Sequence, residues 1–225
     1  MIPGLVAAYF MLLAGLVVGL LAWFGALFTG AVPQFAWEYG TGLLDFATRL
    51  FAYGLLMTDR WPRIGFSEPD YPVLPVFAPP DRLNPVSVFF RLILAIPAAI
   101  VSGMLSLGGY LFAILLWVYA LVTGGISPSL QGMAAAIVRY NLRYNAWFWM
   151  LTPTYPVRGA MGDDPGDASP LALRLDNGQR TGLGIVFAVG VILYIALIAI
   201  NASASHPNQN NPLYNPNCPN GELVC

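Results

Sequence analysis

Leu21-Ala22-Trp23-Phe24-Gly25-Ala26-Leu27-Phe28-Thr29-Gly30 returns later in the chain as Leu115-Leu116-Trp117-Val118-Tyr119-Ala120-Leu121-Val122-Thr123-Gly124, an offset of 94 residues (117 − 23). Both stretches close an apolar run. The same offset carries Arg49 onto Arg143, Ala52 onto Ala146, Thr58 onto Thr152 and Pro62 onto Pro156. It also matches aromatic with aromatic, at Tyr53 with Trp147 and at Trp61 with Tyr155. Scarce Trp, Arg and Pro seldom align together by chance over such a length, so the sequence predicts a tandem duplication.

Composition sets the environment. Hydrophobic residues make up 57% of the chain and charged residues 9%, against about 25% charged in a soluble domain. With several long uncharged runs, this describes an integral membrane protein. A net charge of −1 supplies nothing to neutralise a run of phosphates, which argues against a nucleic-acid partner. Met1 to Thr29 has no basic leader region and no small-residue cleavage site, so it reads as a retained span.

The expected architecture is all-α, with four transmembrane helices and two interfacial amphipathic helices. Leu5 to Thr29 is the first span, stopped by Gly30 and Pro33. Its Gly15 and Gly19 stand in a register that admits close helix contact. Gln34 to Met57 carries Glu38, Thr41, Asp45, Thr48 and Arg49 at helical spacing among aromatics, the pattern of a helix lying in the membrane interface. Asp45 and Arg49 read as a solvated i, i+4 pair contributing about 0.3–0.5 kcal/mol. Thr58 to Pro85 is a proline-rich connector that excludes a long helix.

Val86 to Gly124 is too long for one span of about 20 residues. Ser102-Gly103 and Ser106-Leu107-Gly108-Gly109 offer a break, so spans are predicted near 86–103 and 106–124, joined by a tight turn. Ser127 to Leu151 repeats the interfacial helix, Thr152 to Arg180 is the second connector, and Gly182 to Ile200 is the last span. Residues 1–103 form the first repeat, 104–201 the second, and 202–225 a polar tail. Two spans per copy make the copies parallel, related by a pseudo-twofold axis along the membrane normal.

Nine of the ten arginines lie in the connectors and their flanking helices, and Arg91 sits near the start of the second span. The positive-inside rule then puts both connectors in the cytoplasm and both termini outside a bacterial inner membrane. On that side Cys218 and Cys225 meet an oxidising compartment; the readings are one small-loop disulfide, two free thiols, or a bridge to a partner chain.

Chemistry is sparse. His206, the single histidine, has no ligand partner at usable spacing. No nucleophile–base set assembles, no phosphate-binding fingerprint occurs, and Asp163, Asp164 and Asp167 read as a solvated loop. Of the span residues Arg91 alone is ionisable, so a proton relay and an axial haem ligand are both missing. No cofactor, no metal and no enzymatic activity are expected.

The Thr-x-x-Trp-Pro of Thr58-Asp59-Arg60-Trp61-Pro62, with Tyr71-Pro72-Val73, Arg82-Leu83-Asn84 and Arg91-Leu92, resembles the bacterial multi-pass membrane family called domain of unknown function 4389. The likeness runs over roughly Arg49 to Pro156, and the second copy departs from it at Thr152-Pro153-Thr154. The resemblance implies a membrane topology and supplies no mechanism.

Two functions are compatible with these features. The first is a non-catalytic accessory or scaffold subunit of a larger membrane complex, or of an assembly with itself. Its contact residues would be Trp61, Pro62, Trp147, Trp149, Tyr155 and Pro156, each of which also reads as a membrane-interface anchor. The second is a small oligomeric transporter or lipid-binding protein in which Arg91, near Pro97, attracts an anionic headgroup or solute. Membrane lipids are partners in either case.

Overall fold

A computed structural model describes residues 2–77, 82–156 and 175–205. Five helices follow in order: α1 (Ile2–Thr29), α2 (Gln34–Gly54), α3 (Pro85–Thr123), α4 (Pro128–Phe148) and α5 (Asn177–Ser205). Among the described residues there is no strand. The capping chemistry marks where each helix starts. Asn84 accepts from the Val86 N–H at 3.0 Å ahead of Pro85, and Ser127 accepts from the Leu130 N–H at 3.4 Å ahead of Pro128. Asp176 and Gln179 exchange hydrogen bonds reciprocally, a capping box that opens α5.

Three helices, Pro3–Thr29, Pro85–Thr123 and Asn177–Ser203, are long and apolar enough to cross a membrane. The hairpin expected at 103–109 is absent. α3 continues unbroken through it for 39 residues, a length of about 58 Å at 1.5 Å per residue. The residues that suggested a turn serve helix packing instead. A β-carbon at Gly108 would collide with the Val186 carbonyl oxygen, and one at Gly190 with the Met104 carbonyl oxygen. Backbone therefore meets backbone where α3 and α5 cross, the small-residue contact typical of membrane helices. Ser102 and Ser106 both donate to Asn141 Oδ1 of α4, at 2.8 and 3.0 Å. Each glycine costs about 1 kcal/mol of helix propensity; close packing offsets that and keeps the helix whole. The repeat boundary expected at 103/104 accordingly falls inside α3.

α1 and α2 form an antiparallel pair. Tyr39 donates to the Met11 carbonyl at 2.6 Å, and Gly4 faces Leu50 and Trp61. Gly15 and Gly19 of α1 seat the indole of Trp149, whose ring atoms lie 3.0 and 2.6 Å from where β-carbons would stand. α2 and α4 thus pack lengthwise into the bundle, with Leu43, Leu44 and Phe46 of one and Ala136, Ile137 and Tyr140 of the other buried.

The ends of the bundle follow from three contacts. Trp117 donates to the Gly54 carbonyl at 3.0 Å, which joins the end of α2 to the last turns of α3. Trp23 donates to the Val88 carbonyl at 3.1 Å, and the Leu83 N–H to the Gly30 carbonyl at 2.8 Å, which joins the end of α1 to the start of α3. The first connector therefore leaves α2 at one end and enters α3 at the other. α5 runs antiparallel to α3, so Ser205 and the start of α1 lie at opposite ends.

Local geometry recurs at the 94-residue offset. α2 and α4 share the same length and are displaced by that offset at both ends (128 − 34 and 148 − 54). Gly30 and Gly124 both take the left-handed conformation (φ 68° and 74°), as do Leu56 and Met150 (φ 54° and 62°). Thr29 and Thr123 donate back to Gly25 and Tyr119 at 2.7 and 2.8 Å. The Tyr53–Trp61 rings meet edge-on at 5.1 Å, and the Trp147–Tyr155 rings at 4.8 Å.

Candidate functional site

A polar clamp fixes the first connector. Arg49, on the inner face of α2, is fully buried and donates to Glu68 Oε2 at 2.9 Å, to the Gly65 carbonyl at 2.6 Å and to the Arg63 carbonyl at 3.2 Å. Asp45 sits 3.1 Å from the same guanidinium. Glu68 also receives the Arg63 N–H at 3.0 Å and faces Arg60 at 2.9 Å. Burial alone would raise the Glu68 carboxyl, but the Arg63 N–H, the Arg49 hydrogen bond and the Arg60 charge hold it below the ordinary glutamate range. Asp45 goes the other way: burial raises it, and Arg49 only partly opposes this. The solvated pair expected at Asp45 and Arg49 is thus part of a buried network. Periodicity gave no sign of Glu68, because it lies in a connector without a repeat pattern.

A second basic residue is buried too. Arg91 is 2% exposed, its guanidinium carbon lies 4.8 Å from the Trp147 ring centroid, and Nη2 donates to the Thr152 carbonyl at 3.3 Å. Tyr155 donates to the Leu94 carbonyl at 2.9 Å, one turn on. Arg91, Trp147, Thr152 and Tyr155 therefore form one docking point that ties the end of α4 to the first half of α3. Trp149, Pro62 and Pro156 are buried, Tyr155 is half-buried and Trp61 is 38% exposed. Most of the residues expected to meet a partner are engaged in packing within the chain. Cys218 and Cys225 lie outside the described residues, as do His206, Asp163, Asp164 and Asp167.

A crevice between α1 and α3 has chemistry that single residues did not signal. One part, about 620 Å³, is lined by the buried Leu50 of α2 and Leu55 just after it, with Leu5, Ala113, Ile114 and Trp117 among its walls. Its side chains Leu5, Ile114, Val118 and Leu121 are exposed, so it opens on an apolar part of the surface. The other part, about 280 Å³, reaches α4 and is bounded by Thr48, Ser106, Asn141 and Asn145 together with Leu12, Leu43 and Trp149. Ala8, Ala47, Phe51 and Tyr110 line both parts, so the two adjoin. No charged side chain lines either. A sequence signal did exist: Ser102 with Ser106 and Asn141 with Asn145 are i, i+4 pairs, which places each pair on one helix face. Among the described residues no cluster of His, Cys, Asp or Glu is disposed to hold a metal ion.

Among the described residues the chain is all-helical, with three helices long and apolar enough to cross a membrane. The chain belongs to the family described as Domain of unknown function (DUF4389), whose model matches residues 1–64 and 85–158, more than half of its length. Neither a curated protein nor a solved structure matches it.

Proposed function

We propose that this protein is a non-catalytic lipid-binding protein of a bacterial inner membrane, holding one lipid chain in the crevice between α1 and α3. The observation that carries the reading is the continuous apolar groove over Leu50 and Leu55, open along exposed aliphatic walls. Its volume falls in the range of about 300–1,000 Å³ usual for small-molecule sites. Ala113 lines this groove, whereas Val122 is 81% exposed beyond it. Ala113→Trp is therefore expected to cut lipid retained by the purified protein at least about tenfold, a loss of about 1.4 kcal/mol, with Val122→Trp unchanged. Native mass spectrometry from mild detergent reads both. Wild-type protein free of lipid, or equal retention by the two variants, would overturn the reading.

Three crossings by α1, α3 and α5 fit this placement. On this reading the start of α1 and the end of α5 lie on opposite faces of the membrane, where the sequence predicts four spans and a shared outer face. We further read the chain as a tandem duplication; the recurrence of caps, left-handed residues and aromatic pairs at one offset supports it. The accessory or scaffold reading keeps one observation of its own. Ile64, Phe66, Leu74 and Val76 of the first connector are 59%, 44%, 44% and 81% exposed, an apolar surface fitted to another membrane subunit. A partner recovered with wild-type protein and lost with Ile64→Asp and Val76→Asp would favour it.

A further inference from the structure

We infer that the polar end of the crevice selects a single-chain amphiphile with an uncharged, hydroxyl-bearing head, of the monoacylglycerol kind. This deepens the lipid-binding reading and rests on it. Within a bilayer the tail gains little by entering the groove, because lipid chains are as apolar as its leucines. Discrimination must come from the head.

The polar side chains at that end are Thr48, Ser106, Tyr110, Asn141, Asn145 and Trp149, all of them uncharged. Ser102 and Ser106 have given their protons to Asn141 Oδ1, so Ser106 Oγ meets a ligand as an acceptor. Asn141 commits one of its two amide N–H groups to the Ile137 carbonyl at 3.1 Å, and Asn145 one of its own to the Asn141 carbonyl at 2.8 Å. The ladder is held in place by its own bonds and offers both donors and acceptors, which suits a hydroxyl. A carboxylate or phosphate there would be buried without a counter-charge, since no ionised side chain lines the crevice. The two compartments adjoin across Ala8, Ala47, Phe51 and Tyr110, which places the head next to the tail.

The test uses the full-length protein in detergent with three probes that share one oleoyl chain: monooleoylglycerol, oleate and lysophosphatidylglycerol. Native mass spectrometry is expected to show monooleoylglycerol retained at least about tenfold over either charged probe. Ser106→Ala with Asn145→Leu is expected to abolish the preference while Ala113→Trp abolishes binding of all three. Equal or better retention of a charged probe by wild-type protein overturns the head assignment and leaves the groove standing. Failure of every probe to bind overturns both, and the wild-type comparison decides even where the double variant does not fold.

Discussion

Arg49→Met is expected to destabilise the protein by about 3–5 kcal/mol, the usual cost of removing one partner from a buried ion pair. Arg49 is fully buried, and its loss leaves Glu68 and Asp45 without their shared counter-charge and the Gly65 and Arg63 carbonyls without a donor. The connector from Thr58 to Phe77 is held on α2 by this cluster and by Tyr71, whose hydroxyl lies 3.4 Å from the Arg49 carbonyl. Thermal unfolding followed by circular dichroism in detergent checks the size of the effect. Removing both charges, Arg49→Met with Glu68→Leu, is expected to recover part of the loss. A change below about 1 kcal/mol for Arg49→Met, the value of an exposed pair, would contradict the buried clamp.

Acid should act on the same cluster in two directions. Glu68 has a lowered folded value, so its contribution is present above its unfolded value of about 4.3 and is lost as pH falls through the lower folded one. Asp45 has a raised folded value, so its contribution is full below about 3.9 and is lost as pH rises through the raised one. At neutral pH, Asp45→Asn should therefore cost less than Glu68→Gln.

Gly190→Val is expected to cost more than about 4 kcal/mol, beyond the range of ordinary substitutions. At this crossing even a β-carbon meets the Met104 carbonyl oxygen, and backbone cannot swing aside as a flexible side chain can. Gly108→Val should behave alike against Val186. Gly184 provides the contrast, because nothing lies near its missing β-carbon. Gly184→Ala is expected to be neutral or stabilising by up to about 1 kcal/mol, from helix propensity alone. Equal midpoints for Gly190→Val and Gly184→Ala would remove the α3–α5 contact from the account.

Much of this was legible before the structure. The end of α1 and the starts of α2 and α4 followed from Gly30, Pro33, Gly124 and the switch from apolar runs to amphipathic spacing, whereas α2 and α4 stop at Gly54 and Phe148, short of the expected Met57 and Leu151. Composition alone pointed to helices apolar enough to cross a membrane. What misled was Gly-Ser chemistry: the same residues that break a soluble helix let membrane helices touch, and only the partner helix distinguishes the two roles. The span-length rule compounded the error, since it assumes that an apolar helix stops where a single crossing ends. Buried charge was misread because Asp45 and Arg49 look solvated until Glu68 arrives from a proline-rich segment. The crevice was half visible, as serine and asparagine pairs on two helices; that the faces meet is a tertiary fact.

The continuity of α3 underlies the three proposed crossings, the α5 contact and the crevice together. Spin labels at Ser87 and Val122, introduced as cysteines with Cys218 and Cys225 replaced by serine, measure it directly by pulsed dipolar spectroscopy. An unbroken helix puts the two sites about 50 Å apart. A distance of about 10–20 Å, as two antiparallel helices packed at 8–10 Å would give, would mean that the chain turns back at 103–109 and would contradict the account.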